Sequence, residues 1–309
     1  MWSPRSILCP LPSGRTVPEA LHPIVEWAQR LDIPLHFTPW PRSQMADRPA
    51  PDAPAPDATL HEQIQAIRPE EAALSLHTNA WAQGVSTMAE WRTYVASHDI
   101  DLVVLTSSTG GAPSPILSVP GAASMIAGVP SAVLTLPRRT RSESFSHVLI
   151  PTDLSEDAVS TLHHAEAMAR FVGARLAALH VLTRRQYVAL TPADMLALDD
   201  ATATPRVAGR RLRTWYHRHT HPAYSAADAT ELHIEQGDPV STITRVARSY
   251  PTPLIVLAAT QNPTRDHTMS TLTENVLRRT TSPVLLTRPH RRYLVATPHS
   301  STTQSAVSS

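Results

Sequence analysis

The sequence predicts an α/β protein made of two doubly wound parallel-sheet domains in tandem. Short apolar strands alternate with amphipathic helices through most of the chain, a pattern typical of parallel sheets whose strands are joined by helical crossovers. The same order of elements occurs on both sides of the midpoint, which indicates an internal duplication. The length of 309 residues suits about two domains of ordinary size.

Five strands and four helices are predicted in the first half. Its first helix has apolar residues at helical spacing, Ala20, Leu21, Ile24, Val25 and Ala28. The run DLVVL at 101–105 is continuously apolar, as in a strand buried on both faces. The predicted strands are 7–11, 33–37, 72–77, 101–105 and 131–136, and the predicted helices are 17–31, 59–68, 86–97 and 119–127.

The second half repeats this order. Its predicted strands are 148–150, 175–182, 231–235, 254–257 and 284–287, and its predicted helices are 155–171, 192–218, 239–249 and 271–279. The segment 137–146, PRRTRSESFS, has neither helical nor strand periodicity and is the natural boundary between the two domains. We therefore predict a first domain at 1–137, a linker at 138–146, a second domain at 147–288 and a disordered tail at 289–309.

Composition excludes several classes of protein. All 27 cationic residues are arginine, so there is no Walker-A or Schiff-base lysine. The formal charge of +1 does not favour a nucleic-acid binder, and the single cysteine excludes an internal disulfide. No apolar run is long enough for a membrane span and no signal peptide is recognised, so a cytoplasmic protein is expected. No Gly-x-Ser-x-Gly elbow or other catalytic motif is present, and we expect a non-enzyme.

Four stretches of the second half carry a resemblance to the universal stress protein family. Residues 148–158 read VLIPTDLSEDA, like the family's first strand and turn, and residues 178–181 read ALHV, like the end of its second strand. Residues 236–239, QGDP, resemble the turn after the third strand. Residues 271–286, TLTENVLRRTTSPVLL, resemble the last helix and strand.

A fainter copy of the same pattern is present in the first half, at 7–14, 100–105 and 118–136. The whole chain thus resembles a tandem universal stress protein. The resemblance implies a five-stranded parallel sheet of strand order 3-2-1-4-5 in each domain. It also implies self-association through the fifth strands, either within the chain or as a homodimer.

An adenine-nucleotide site at the carboxyl ends of the strands is a further implication of the resemblance. Asp153 matches the family's aspartate for base and ribose, and Val181 matches the apolar wall of the base pocket. ATP-binding members hold phosphates with a glycine-containing loop after strand four, but residues 258–271 here contain no glycine. The candidate cofactor-binding residues are Thr152, Asp153, Val181, Ala258, Gln261, Ser270 and Thr271. We expect ATP or AMP to bind weakly or in an altered way.

These residues also have purely structural interpretations. Asp153 suits a cap or turn before the helix that follows it, and Ser270 or Thr271 suits the N-cap of the last helix. Val181 suits the core. In the first half, Pro12 stands where the aspartate is expected, and the hydroxyl- and glycine-rich run at 106–111 lies too close to Ser118 for the family spacing. Neither half has a complete ATP motif.

A basic, histidine-containing stretch at 206–221 is the other conspicuous feature. His217, His219 and His221 alternate, and we interpret them as a solvated surface run, with a zinc or nickel site as the alternative. The neighbouring arginines and aromatic residues weakly favour an RNA or phosphate-rich partner, but the near-zero net charge argues against nucleic acid. His163 and His164, adjacent in a helix, cannot both face one ligand, and we expect one to be exposed.

The function implied by the resemblance is a non-catalytic regulatory or binding module of the stress response. Protein partners are expected but the sequence does not name them. One alternative is an interaction scaffold that has lost both nucleotide sites, favoured by the glycine-free loop. Another is a nucleotide-hydrolysing enzyme of related fold, which the missing lysines and glycines count against.

Overall fold

A nine-stranded sheet with helices on both faces forms the protein in the computed structural model. The structure describes residues 4–11, 19–41, 87–106, 116–119, 121–137, 145–183, 205–221, 230–259 and 269–288. The strands are β1 (Ile7–Leu11), β2 (Leu35–Pro39), β3 (Leu102–Thr106), β4 (Ala132–Leu136), β5 (His147–Pro151), β6 (Arg175–Leu182), β7 (Glu231–Gln236), β8 (Pro253–Ala258) and β9 (Val284–Thr287). The α-helices are α1 (His22–Leu31), α2 (Met88–Ser97), α3 (Ala122–Gly128), α4 (Asp157–Val172), α5 (Pro205–His219), α6 (Pro239–Arg248) and α7 (Thr271–Arg279).

Several predicted segments lie outside the described residues. They are the strand at 72–77, the helix at 59–68, the first part of the helix at 192–218, most of the linker and the tail from 289. The strand predicted at 33–37 is shifted and begins at Leu35. The reason is the end of α1, where Asp32 is left-handed and the Ile33 amide still donates to the Ala28 carbonyl.

The strand order of the second half is β7-β6-β5-β8-β9. Counted within that half, this is the expected order 3-2-1-4-5, and every pairing is parallel. The described strands of the first half have the order β2-β1-β3-β4, also parallel. This is the same arrangement with the strand predicted at 72–77 outside the described residues.

The two halves share a single sheet. Their last strands, β4 and β9, pair antiparallel, with Leu134 opposite Leu285. This is the fifth-strand pairing expected within the chain. Because the two sets of parallel strands run in opposite directions, their carboxyl ends lie at opposite edges of the sheet.

Contacts on both sides of this seam hold the halves together. The guanidinium of Arg288, just after β9, donates to the carbonyls of Ile126 and Ser131 in the first half. Arg30 donates to the Phe171 carbonyl at 2.8 Å, and the Trp27 ring meets the Phe171 ring edge-on at 5.6 Å. The halves are therefore joined by backbone pairing, side-chain hydrogen bonds and aromatic packing.

Two buried layers sandwich the sheet. One lies between the sheet and α1, α4 and α5, and the other between the sheet and α2, α3, α6 and α7. Successive residues of a strand serve opposite layers, as Ile150 and Leu149 do. Each layer contains residues of both halves, so the core is continuous across the seam.

Helix boundaries follow from capping residues in the sequence. Thr87 and Glu90 form a reciprocal capping box at α2, with bonds of 3.2 and 2.8 Å. Asp238 caps α6 ahead of a proline at its first position. Helix α4 ends at Gly173, whose φ of 70° is the left-handed conformation that glycine adopts without strain.

Candidate functional site

The carboxyl ends of β5 and its neighbours β6 and β8 form the switch point of the second half. Strand β5 leads into α4 on one face of the sheet, whereas β8 leads towards α7 on the other. In open α/β sheets this divergence opens the crevice in which ligands bind. Thr152, Asp153, Val181, Ala258, Ser270 and Thr271 all lie at this edge. Gln261, the remaining candidate, lies outside the described residues.

A tightly held turn follows β5. The Thr152 amide donates to the Leu179 carbonyl, and the Thr152 hydroxyl accepts from the Leu154 amide at 3.0 Å. His180 Nδ1 donates to the Thr152 carbonyl at 2.8 Å, because a carbonyl oxygen can only accept. Leu154 has a φ of 65°, in the left-handed region. These bonds fix the direction in which the intervening Asp153 leaves the sheet.

Asp153 is exposed, and one of its two carboxylate oxygens is hydrogen-bonded within this turn. Its Oδ1 accepts from the amide of Ser155 at 3.0 Å and from the Ser155 hydroxyl at 2.6 Å. Helix α4 begins only at Asp157, so Asp153 shapes the turn and does not cap the helix. Oδ2 accepts no hydrogen bond from any residue that the structure describes, and it remains free for a ligand.

Val181 and Ala258 are both half-buried. Val181 packs on the layer beneath α6 and α7, on the opposite face from its neighbour His180. The Ala258 carbonyl accepts from the Thr273 hydroxyl at 3.2 Å. This bond fastens the end of β8 to the first turn of α7.

Ser270 is the N-cap of α7. Its hydroxyl oxygen accepts from the Thr273 amide at 3.2 Å. The structural interpretation of Ser270 is thus confirmed. Thr271 is exposed, and its hydroxyl has no hydrogen-bond partner among the described residues.

A cavity of about 630 Å³ adjoins Asp153 on the face covered by α4 and α5. One wall comes from the turn after β5 and from the end of β6, and the other comes from α5. Its lining residues are Asp153, Leu154, Glu156, His180, Leu182, Val207, Ala208, Arg210, Arg211, Thr214, Trp215, Arg218 and His219. Among the candidate residues, Asp153 alone lines it.

The sequence did not predict that α5 forms a wall of this cavity. Arg211, Trp215 and Arg218 are spaced i, i+4 and i+7, so they share one face of α5. That spacing is visible in the sequence. What it could not show is that this face closes over the ends of β5 and β6.

Helix α5 is docked on α4 by a buried carboxylate. Glu166 of α4 is fully buried and accepts from the Thr220 hydroxyl and from the His221 amide at the end of α5. Burial raises the pKa of Glu166, although these two bonds and nearby His163 oppose the rise. The carboxylate therefore sets the position of the cavity wall.

His163 and His164 both belong to this docking region. His163 is half-buried and its Nε2 contacts the His219 carbonyl at 2.8 Å. His164 is buried, with Nδ1 at 2.6 Å from the Ser160 carbonyl. The expectation that one of them is exposed is wrong, because each contacts a backbone carbonyl within packed helices.

The histidine run at the end of α5 is spread over different surroundings. His217 is exposed, whereas His219 is half-buried with its Nε2 3.7 Å from Glu156 Oε1. Within the part of the chain that the structure describes, no group of three or more His, Cys, Asp or Glu side chains could hold a metal ion.

Cys9 lies in β1 with 1% of its surface exposed. Burial raises the pKa of its thiol. A buried, protonated thiol is a poor nucleophile.

The second half matches a known family model. Residues 144–288 match the model of the family described as the Universal stress protein family. The match covers the whole switch point and α5. A search of curated proteins found no relative of the chain.

Three solved structures resemble nearly the whole chain. A functionally unknown protein from Pseudomonas aeruginosa PAO1 has 17% identity and a TM-score of 0.60, with 93% of each chain covered. A putative universal stress protein from Pseudomonas aeruginosa UCBPP-PA14 has 16% identity and a TM-score of 0.60, covering 92% of this chain and 93% of that one. A universal stress protein from Archaeoglobus fulgidus DSM 4304 has 15% identity and a TM-score of 0.53, covering 92% and 96%. At these identities the likeness shows the α/β fold.

No helix among the described residues is long and apolar enough to cross a membrane.

Proposed function

We propose that the chain is a tandem universal stress protein, a non-catalytic regulatory module that binds an adenine nucleotide in its second half. The observation that carries this proposal is the placement of Asp153. Its carboxylate stands at the switch point on a fixed turn, with one oxygen free and a cavity of ligand size beside it.

The chemistry of this edge suits a nucleoside. A carboxylate at the end of a strand hydrogen-bonds ribose hydroxyls in other nucleotide-binding α/β proteins. The turn after β5 is fastened by three hydrogen bonds, so little ordering is needed when a ligand arrives. Half-buried Val181 offers apolar surface to a base on the other side of the same strand ends.

A regulatory role without turnover is supported by what the sequence lacks. The chain has no lysine to neutralise transferred phosphate and no glycine after Gly237 to form a phosphate loop. Ligand binding beside Asp153 would alter the surface that this edge of the sheet presents to protein partners.

Calorimetric titration of the full chain with AMP and ATP tests the proposal. The informative variant is Asp153→Asn, which keeps an acceptor for the Ser155 amide but removes the charge. We expect it to weaken AMP binding by about tenfold, the loss of one charge-assisted hydrogen bond.

Asp157→Ala is the matched control, because Asp157 is also an exposed acid in the same segment but does not line the cavity. It should leave AMP affinity unchanged. A wild-type chain that gives no heat with either nucleotide at millimolar concentration would refute the proposal and favour the scaffold alternative.

A further inference from the structure

We propose that the phosphate groups of the bound nucleotide lie against α5, on the guanidinium groups of Arg211 and Arg218, and not in the loop after β8. This inference rests on the proposed function, since it shares Asp153 with it. It assigns an anion-binding role to a helix face on the side of the sheet away from α7.

The two arginines line the cavity one helical turn on either side of Trp215. Neither makes an ion pair or hydrogen bond with any residue in the described part of the chain. Other arginines of the second half do have carboxylate partners, as in Arg245–Glu235 and Arg278–Glu274, both at 2.7 Å. Arg211 and Arg218 therefore have no carboxylate partner in the part of the chain that the structure describes.

Charge is distributed unevenly across the cavity. The carboxylates of Asp153 and Glu156 lie on the wall formed by the β5–α4 connection, and the arginines lie on α5. Glu156 is itself 3.7 Å from His219 of α5. A ligand with hydroxyl donors at one end and an anion at the other matches this polarity, and a nucleoside phosphate has that form.

Each wall of the cavity also contributes a ring, Trp215 from α5 and His180 from β6. Trp215 is 93% buried, and its indole Nε1 has no hydrogen-bond partner among the described residues. The bond from His180 Nδ1 to the Thr152 carbonyl leaves His180 Nε2 as an acceptor at the opposite wall.

The alternative phosphate position, at the start of α7, offers few free hydrogen-bond donors to an anion. Ser270 already uses its hydroxyl to cap α7. The segment from 258 to 271 has no glycine whose amide could approach an anion closely, and Pro263 lacks an amide donor. Because the two positions lie on opposite faces of the sheet, mutation can distinguish them.

Calorimetric titration of adenosine, AMP and ADP into the full chain provides the test. The variant is Arg211→Ala/Arg218→Ala. Its matched control is Arg206→Ala/Arg213→Ala, which removes two exposed arginines of the same helix that do not line the cavity. Adenosine affinity reports whether each variant keeps the nucleoside pocket intact.

We expect the wild type to bind AMP at least about tenfold tighter than adenosine, as charge-assisted guanidinium–phosphate bonds provide. The Arg211→Ala/Arg218→Ala variant should bind both ligands equally, and the control should match the wild type. If the cavity variant binds AMP as tightly as the control does, the inference is overturned while the nucleotide function stands. If the wild type binds none of the three ligands, both proposals fail.

Discussion

Asp153 divides its carboxylate between two tasks. Oδ1 holds the turn through the Ser155 amide and hydroxyl, and Oδ2 has no hydrogen-bond partner among the described residues. The two interpretations of this residue drawn from the sequence, turn former and ligand group, are therefore compatible in one side chain.

The turn role has a measurable consequence for stability. Asp153→Ala removes both bonds to Ser155 and should lower the unfolding free energy by about 1 kcal/mol. Asp153→Asn keeps the acceptor and should cost less than half of that. Urea denaturation of the two variants checks this, and equal losses would show that Oδ1 contributes nothing to the turn.

Glu166 gives the molecule a specific pH dependence. Burial raises its pKa above the unfolded value, so between those two values the native state holds the proton more often than the unfolded chain. Unfolding free energy should therefore fall as pH rises from 4.5 through the native pKa. Glu166→Gln should remove this decline, which is measured as the difference between wild-type and variant denaturation curves from pH 4.5 to 7. A difference that stays constant over this range would contradict the raised pKa.

At the scale of single elements, capping residues and apolar periodicity predicted the positions of several strands and helices. The strands at 7–11, 175–182 and 284–287 and the helix at 271–279 occur as predicted because their apolar pattern matches their burial. The later start of β2 could not be predicted from the sequence, because it depends on the left-handed conformation of Asp32 at the end of α1.

The cavity wall was not predictable for a different reason. The side of α5 that faces the strand ends is set by Glu166 of α4, which accepts hydrogen bonds from Thr220 and His221, 54 and 55 residues further along the chain. Helical periodicity shows that Arg211, Trp215 and Arg218 share one face of α5, but it does not show which part of the sheet that face covers. The switch-point residues could be placed, because carboxyl ends of parallel strands share an edge.

A substitution at Ser270 distinguishes helix capping from ligand binding at the start of α7. Ser270→Ala should lower the unfolding free energy by about 1 kcal/mol, the usual loss for an N-cap. AMP affinity should stay the same, since our proposal places phosphate on α5. The neighbouring exposed Thr271→Ala is the control and should change neither quantity by much. A fall in AMP affinity with Ser270→Ala would instead place the phosphate at α7.

Over the whole molecule, the antiparallel pairing of β4 with β9 makes one sheet of two halves. It also places the two sets of carboxyl strand ends at opposite edges, so the two switch points cannot contribute to one site. The hydroxyl- and glycine-rich run at 106–111 begins at one edge and Asp153 lies at the other. The family resemblance implied the pairing of fifth strands, whereas composition and periodicity alone could not reveal the register.

Arg288 is the clearest side-chain contributor to this seam. It donates to carbonyls of Ile126, Ser131 and Ala259. Arg288→Ala should lower the unfolding free energy by about 2 kcal/mol, because buried carbonyls lose charged donors. Arg248→Ala, an exposed arginine at the end of α6, is the control. Thermal denaturation measures both, and equal effects would show that Arg288 does not join the halves.

The central claim is that the second half binds one adenine nucleotide through Asp153. The most direct measurement is mass spectrometry of small molecules released from the purified full chain, with stoichiometry from AMP titration. We predict an adenine nucleotide released from the wild type and not from Asp153→Ala, and a titration that saturates at about one AMP per chain, as one site built on Asp153 requires. A chain that releases no nucleotide and takes up no AMP at millimolar concentration would contradict the claim.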